Sequence, residues 1–165
     1  MEPILTAAGL HAYAKNFTEA YDAAIRPLSA ALGLPQTAVD ILLFLANNPD
    51  HATAKDICAM RHLKPGMVSL HVDALCRQGY LERQSVPGDR RKFRLVPTAQ
   101  AAGVIAQGRS VQAQFAASLS QGLSAEDLER LTGYLETIAD NMNRLRQSPP
   151  TGHDAPKPQK EGSSL

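Results

Sequence analysis

The order of predicted elements between Thr53 and Val96 constrains the fold of this chain more than any other feature. The first of these elements is a short helix. Thr53 and Asp56 have the spacing of a capping box, in which two side chains bind the backbone amides at a helix start. The expected inner face of this helix comprises Ile57, Cys58 and Met60.

A tight connection at residues 62–64 leads into a second helix. Pro65 suits its first position, where a missing amide is tolerated, and Gly79 suits its end. The helix carries one apolar stripe, formed by Val68, Val72 and Leu75. Two helices joined by a tight turn are typical of a helix-turn-helix.

Two strands are predicted directly after Gly79, at residues 81–86 and 92–96. Pro87-Gly88-Asp89 is the predicted turn between them, because these residue types fit the dihedral angles of tight turns. Thr98 is then expected to cap a long helix. The unit is therefore a winged helix-turn-helix, and the predicted fold class is mainly α with a small β-hairpin wing.

Helical periodicity extends on both sides of this unit. Apolar residues recur at three- and four-residue steps from Leu10 to Leu28, and Pro27 is expected to kink or interrupt that helix. The next helix starts at Pro35 and stops near Asn47. The predicted organisation is an N-terminal dimerisation helix at 1–35, the winged helix-turn-helix at 36–97, C-terminal dimerisation helices at 98–147 and a disordered tail at 148–165.

The last predicted helix carries a narrow apolar seam with steps of three and four residues. Its members are Leu128, Leu131, Leu135, Ile138, Met142 and Leu145. A seam of this width favours pairing with other long helices. Those helices belong either to a second subunit or to the same chain, and the sequence leaves both alternatives open.

Positive charge is concentrated in one segment. From Arg61 to Arg94 there are eight lysines and arginines and three acidic residues, a net charge of +5, although the whole chain carries only +1. Such a segment is expected where one face meets phosphates, but it also fits a solvated surface with salt bridges. The element order favours DNA, because a major groove about 12 Å wide admits one helix while the preceding helix braces it.

The outward face of the second helix supplies one set of predicted DNA contacts. Lys64 and Arg77 suit phosphates at its two ends. Ser69 suits a base edge or a phosphate, and Met67 and Leu70 suit thymine methyl groups. The remaining candidates are Pro65, Gly66, His71 and Asp73. His71 lies beside the apolar stripe, where packing is favoured over DNA contact.

The hairpin supplies the second set, which comprises Asp89, Arg90, Arg91 and Lys92. An arginine on a projecting hairpin fits the negative potential of a narrow minor groove. Asp89 is expected to orient one of the guanidinium groups.

At these residues the chain resembles the MarR family of bacterial regulators. The resemblance rests on Thr53-Ala-Lys-Asp-Ile, Met67-Val-Ser-Leu-His-Val-Asp-Ala-Leu, Gly79-Tyr-Leu-Glu-Arg, and Asp89-Arg-Arg with Thr98 after the second strand. It covers about residues 8–146. It implies a homodimer whose terminal helices interlock and whose recognition helices bind double-stranded DNA at a palindromic operator.

The resemblance further implies a transcriptional repressor that a small ligand, aromatic or linked to coenzyme A, releases from its operator. Tyr13, Phe17 and Tyr21 line the ligand cleft by family position, although an aromatic stripe more often belongs to the core. The chain departs from the family at Leu70, where arginine is usual, and at Arg61-His62, where Leu-Gly is favoured. The operator sequence is therefore not carried over.

Two alternatives use the same fold. One is a redox-sensing regulator that uses Cys58 or Cys76. Cys58 is expected in the core and Cys76 partly exposed, and neither has a visible resolving partner. The other is a protein-interaction module without DNA binding, which the basic wing disfavours.

An enzyme is not expected, because the sequence has no Gly-rich phosphate loop and no nucleophile elbow. Cysteines and histidines lack zinc-finger spacing, so no metal or cofactor is expected. No signal peptide and no apolar run of ~20 residues is found, which predicts a cytoplasmic protein without a membrane partner.

Overall fold

The computed structural model describes residues 6–86 and 89–147, without the side chains of residues 89–92. The elements are α1 (Ala7–Leu32), α2 (Gln36–Asn47), α3 (Ala54–Arg61), α4 (Pro65–Arg77), β1 (Leu81–Val86), β2 (Asp89–Pro97), a 3₁₀ turn (Ala99–Ala101), α5 (Ala102–Leu119) and α6 (Ala125–Gln147). They fall into two compact units, the first ending at Leu119 and the second beginning at Ser120. This order confirms the predicted fold class.

Helix α1 is longer than the sequence suggested. The Thr6 hydroxyl accepts a hydrogen bond from the Gly9 amide at its start, and Gly33 ends it in the left-handed conformation at φ 63°. Pro27 lies within the helix, so of the predicted kink or interruption the interruption does not occur. Proline removes one backbone hydrogen bond, but Ile25 and Leu28 on either side are buried, and their packing holds the helix together.

Helix α2 is the centre of the core, with seven of its twelve residues buried. They are Ala38, Val39, Ile41, Leu42, Leu43, Phe44 and Leu45. Helices α1, α4 and α5 and strand β2 all pack against it. A short helix that is apolar on most sides must be covered on most sides, which explains its central place.

Helix α3 begins with the predicted capping box. The Thr53 hydroxyl oxygen accepts from the Asp56 amide at 3.2 Å, and the Thr53 amide donates to the Asp56 carboxylate at 3.0 Å. The Thr53 hydroxyl also donates to the Asp56 carboxylate at 2.6 Å, and this bond, together with the one from the Thr53 amide, lowers the pKa of Asp56 below its ordinary value. Ile57 is fully buried, but Met60 is 47% exposed, so its predicted place on the inner face is wrong. A helix of eight residues has only about two turns, and its buried stripe is narrow.

Helix α4 confirms the predicted stripe, because Val68, Val72 and Leu75 are all buried. Pro65 occupies its first turn. The hairpin is attached where α4 ends, since the Tyr80 amide donates to the Leu75 carbonyl at 2.9 Å.

Thr98 closes the other end of the hairpin rather than capping a helix. Its hydroxyl donates to the Gly79 carbonyl at 2.6 Å, and its amide donates to the Tyr80 carbonyl at 3.0 Å. The Thr98 side chain makes no cap hydrogen bond to the 3₁₀ turn that follows, so the predicted cap is wrong. The Thr98 hydroxyl binds the carbonyl just after helix α4 because the two strands bring Thr98 back beside Gly79.

Strands β1 and β2 form an antiparallel pair. The register runs from Leu81 opposite Pro97 to Ser85 opposite Phe93, and then shifts so that Val86 lies opposite Asp89. Strand β2 therefore starts earlier than the predicted Lys92. The predicted turn residues Pro87 and Gly88 lie outside the described part of the chain. The Leu95 amide donates to the Ala52 carbonyl at 2.7 Å, which fastens β2 to the segment before α3.

The second unit is built on α6. The Ser124 hydroxyl oxygen accepts from the Asp127 amide at 3.1 Å, and the Ser124 amide donates to the Asp127 carboxylate at 3.0 Å, as in a capping box. No residue of α6 is buried, and most of the predicted seam is exposed. The predicted disordered tail at 148–165 lies outside the described residues.

Within residues 6–86 and 89–147, no single helix is long and apolar enough to cross a membrane. Helices α1 and α2 reach the required length and composition only as a pair, which is bent by 102°. Most of α2 is buried in the core.

Candidate nucleic-acid interface

The face of α4 opposite its buried stripe is exposed. Leu70 and Met67 are 62% and 44% exposed, and Gly66 and Ser69 beside them are also exposed. His71, at the edge of this face, is half-buried, as expected for a residue that packs beside the stripe. An outward face of this kind on the second helix of a helix-turn-helix is the surface that enters a major groove.

Basic residues stand at both ends of this face. Lys64 directly precedes α4 and Arg77 is its last residue, and both are exposed. Pro65, next to Lys64, is exposed as well. The two cations lie about 20 Å apart along the helix, given a rise of ~1.5 Å per residue. This spacing suits phosphates on the two edges of a groove about 12 Å wide.

The acidic residue on this face has a partner in the wing. The Arg83 guanidinium of β1 donates to the Asp73 carboxylate of α4, and this hydrogen bond raises the pKa of Arg83 above its ordinary value. Both side chains are about half exposed, so the pair contributes only about 0–1 kcal/mol to stability. Its importance is electrostatic, because it neutralises the carboxylate on the outward face of α4.

Arg83 was missed as a site residue. Its position in the sequence marks it only as an exposed strand residue, and the pairing with Asp73 arises when the hairpin folds back beside α4. A pattern within one strand carries no signal for a contact with a different element.

Two further arginines of the basic segment have partners within the chain. The Arg94 guanidinium donates to the Pro49 carbonyl at 2.5 Å, and the Arg61 guanidinium lies 3.9 Å from the Asp40 carboxylate. These side chains fasten β2 and α3 to the neighbourhood of α2. Among the described side chains of the segment, Lys64 and Arg77 are therefore the exposed cations without such a partner.

The wing residues Asp89, Arg90, Arg91 and Lys92 form the first part of β2. Their backbone belongs to the hairpin that follows α4, as the sequence predicts. Their side chains lie outside the description, so their contact with DNA stays a prediction.

A groove of about 740 Å³ runs between α3, α4 and the hairpin. Ser69 and Arg83 line it, together with Lys55 and Phe93. The predicted base contact Ser69 therefore borders both the outward face of α4 and this groove. Among the side chains described, no three His, Cys, Asp or Glu residues are placed to hold a metal ion.

The aromatic residues predicted to line a ligand cleft lie in different surroundings. Phe17 and Tyr21 both contact the ring of Phe115 edge-on, with ring centres 5.6 and 5.5 Å apart. Tyr13, one turn earlier, is 58% exposed. The structure thus brings two of the three residues together, on the side of α1 that packs against α5.

Tyr21 also belongs to a polar network that joins four helices. Its hydroxyl donates to the Asp40 carboxylate at 3.2 Å and accepts from Gln112 at 3.1 Å. Burial raises the pKa of both Tyr21 and Asp40 above their ordinary values, in spite of the nearby Arg61. The network connects α1 and α5 to α2 and to the end of α3.

Both cysteines are free and half-buried. Cys58 and Cys76 pack against the core cluster. Cys58 is thus less buried than the sequence suggested, whereas Cys76 is partly exposed as expected.

The comparisons with known proteins agree with this architecture. The MarR family model matches residues 32–92. No curated protein sequence matches the chain. A solved MarR protein from Peptoclostridium difficile has a TM-score of 0.72 at 16% identity, covering 89% of this chain and 96% of that one.

Two further structures have the same fold. The transcriptional regulator PA3341 has a TM-score of 0.69 at 24% identity, covering 82% of this chain and 96% of its own. A mutant MarR from E. coli, complexed with operator DNA, has a TM-score of 0.61 at 17% identity, covering 84% of this chain and 99% of its own. These structures share their fold with the chain, and the family match supports the resemblance over residues 32–92.

Proposed function

We propose that this chain, whose residues 32–92 match the MarR family model, works as a homodimeric repressor that binds a palindromic operator in the cytoplasm. The observation that carries the proposal is the exposed face of α4, with Lys64 and Arg77 at its ends and the basic wing beside it. Helix, flanking cations and hairpin together have the form of a unit that places one helix in the major groove and one loop in the minor groove.

The dimer rests on apolar surface outside the DNA-binding part. Leu131, Leu135, Met142 and Leu145 of α6 are each more than 40% exposed and repeat at helical spacing. In α1, Leu10 and Phe17 are exposed by 45% and 47%. Rows of exposed large apolar side chains mark surfaces that bind a partner. We therefore assign residues 1–35 and 98–147 to dimerisation and 36–97 to DNA binding.

The same proposal includes release by a small effector. Phe17, Tyr21 and Phe115 form an aromatic cluster between α1 and α5, and the Tyr21 hydroxyl enters the polar network that reaches α3. A ligand that moved Tyr21 would act on helices of both the dimerising and the DNA-binding parts. Aromatic acids and their coenzyme A thioesters are the first compounds to test, by thermal shift.

The test of DNA binding uses the full chain and a duplex selected from a random-sequence pool, with affinity measured by fluorescence anisotropy. Six to ten phosphate contacts predict a loss of ~10³–10⁵ in affinity between about 50 and 200 mM salt. Affinity that barely changes with salt would refute the role of the basic face.

Variants of the wing make the test specific. Arg91→Ala is expected to weaken binding about five- to a hundredfold, and Arg90→Ala less, without unfolding the protein. Arg26→Ala, which removes an exposed arginine of α1, is the matched control and should bind normally. Normal binding by both wing variants would instead favour a protein-interaction module.

A further inference from the structure

We propose that α4 selects its operator through thymine methyl groups, which Leu70 and Met67 contact in the major groove. This inference rests on the proposed DNA-binding function and specifies what the recognition helix reads.

Both side chains are strongly exposed. Leu70, at 62%, is the most exposed large apolar residue described in the unit that ends at Leu119, and Met67 is 44% exposed. They are three residues apart and so lie next to each other on one face of the helix. Neighbouring side chains about 5–6 Å apart can cover the methyl groups of adjacent base pairs, which follow each other at ~3.4 Å.

The charges on the same face favour thymine over guanine and cytosine. The sequence has no lysine or arginine from Pro65 to Cys76, so the middle of α4 has no side chain for the bidentate contact that selects guanine. The only carboxylate there, that of Asp73, accepts a hydrogen bond from Arg83. Its acceptor capacity towards the amino group of cytosine is therefore reduced.

The major groove presents an apolar group that matches these side chains. The C5-methyl of thymine is the apolar group at the base edges of the major groove, and apolar side chains contact it. Lys64 and Arg77 at the two ends of the helix complement phosphates rather than an apolar protein surface. The outward face of α4 has an apolar centre between two cations. The DNA that fits it is thus a half-site that contains thymine.

The experiment replaces thymine by deoxyuridine in the duplex selected by the full chain. This change removes the methyl group and keeps the base-pairing hydrogen bonds. Loss of one buried methyl should weaken binding about three- to fourfold, and one loss in each half-site about tenfold. Thymines between the half-sites serve as controls and should tolerate the same replacement.

Leu70→Ala separates a direct contact from an effect of DNA shape. The variant should fold, because the side chain is exposed, and it should bind thymine and deoxyuridine duplexes with more nearly equal affinity than the wild type does. Leu70→Arg should enrich guanine in a new selection, because arginine pairs with its major-groove edge.

The outcomes distinguish the two proposals. If the wild type binds a selected duplex with equal affinity in the thymine and deoxyuridine forms, the methyl contact is refuted and the DNA-binding function stands. If no duplex is enriched, the DNA-binding function itself is refuted. If Leu70→Ala and Met67→Ala both keep the full sensitivity to deoxyuridine, the methyl groups act through DNA shape and this inference is overturned.

Discussion

The packing of α5 on α2 leaves no room for a side chain at Gly108. A Cβ atom added there would lie 2.6 Å from Cδ2 and 2.8 Å from Cδ1 of Leu43. Gly108 is buried and Leu43 is 1% exposed, so neither can relax towards solvent. Gly108→Ala therefore forces Leu43 out of its rotamer or moves the two helices apart.

The expected cost follows from two opposing terms. Overpacking a close-packed core costs about 1–3 kcal/mol, whereas alanine is better than glycine inside a helix by about 0.5–1 kcal/mol. We therefore expect Gly108→Ala to lower the free energy of unfolding by about 1–2 kcal/mol. Gly103→Ala is the matched control in the same helix. Its new Cβ would meet no atom within 4 Å, and the variant should be as stable as the wild type or slightly more stable.

The assay is urea unfolding at one fixed protein concentration, since association changes apparent stability. Leu43→Ala alone should cost about 2–5 kcal/mol through its cavity. In the Leu43→Ala background the clash is gone, and Gly108→Ala should become neutral or stabilising. If Gly108→Ala is as stable as the wild type, the proposed clash with Leu43 is refuted. It is also refuted if the stability losses of Gly108→Ala and Leu43→Ala add to within about 0.5 kcal/mol in the double variant.

Two further predictions concern single side chains. Burial raises the pKa of the Asp40 carboxyl above its ordinary 3.8. The folded chain therefore holds the carboxyl proton more tightly than the unfolded chain does. As a result, the contribution of Asp40 to stability falls as the pH rises from 3.8 through the folded pKa. Asp40→Asn should therefore raise the melting temperature at pH 7, with the gain lost below about pH 4, where both states are protonated; a lower melting temperature at pH 7 would contradict this. Thr53→Ala removes the cap of α3 and should cost about 1 kcal/mol in urea unfolding, whereas Thr53→Ser keeps a hydroxyl and should lose much less. Equal losses in the two Thr53 variants would show that the hydroxyl is not what stabilises the helix start.

Local features of this chain were predictable because local chemistry determines them. The capping box at Thr53 depends on residues three apart, and the buried stripe of α4 depends on a helical period sustained over two turns. The hairpin follows from strand-forming residues on either side of a turn. Together they were sufficient to predict helix α4, the two cations at its ends and the hairpin that follows it.

The features that escaped prediction depend on which elements meet in three dimensions. Met60 turned outward because a two-turn helix buries only a narrow stripe. The Thr98 hydroxyl binds the Gly79 carbonyl, 19 residues back along the chain, only because the hairpin returns there. The pairing of Asp73 with Arg83 arises in the same way.

The proposed function requires a dimer that places the α4 helices of two chains on one duplex. Sedimentation velocity of the full chain, titrated with a fluorescent duplex carrying the selected palindrome, tests it most directly. We expect a dimer at micromolar concentration and a complex with two chains on each duplex. A monomer that stays monomeric on the duplex, or a palindrome bound no more tightly than a scrambled duplex, would contradict it.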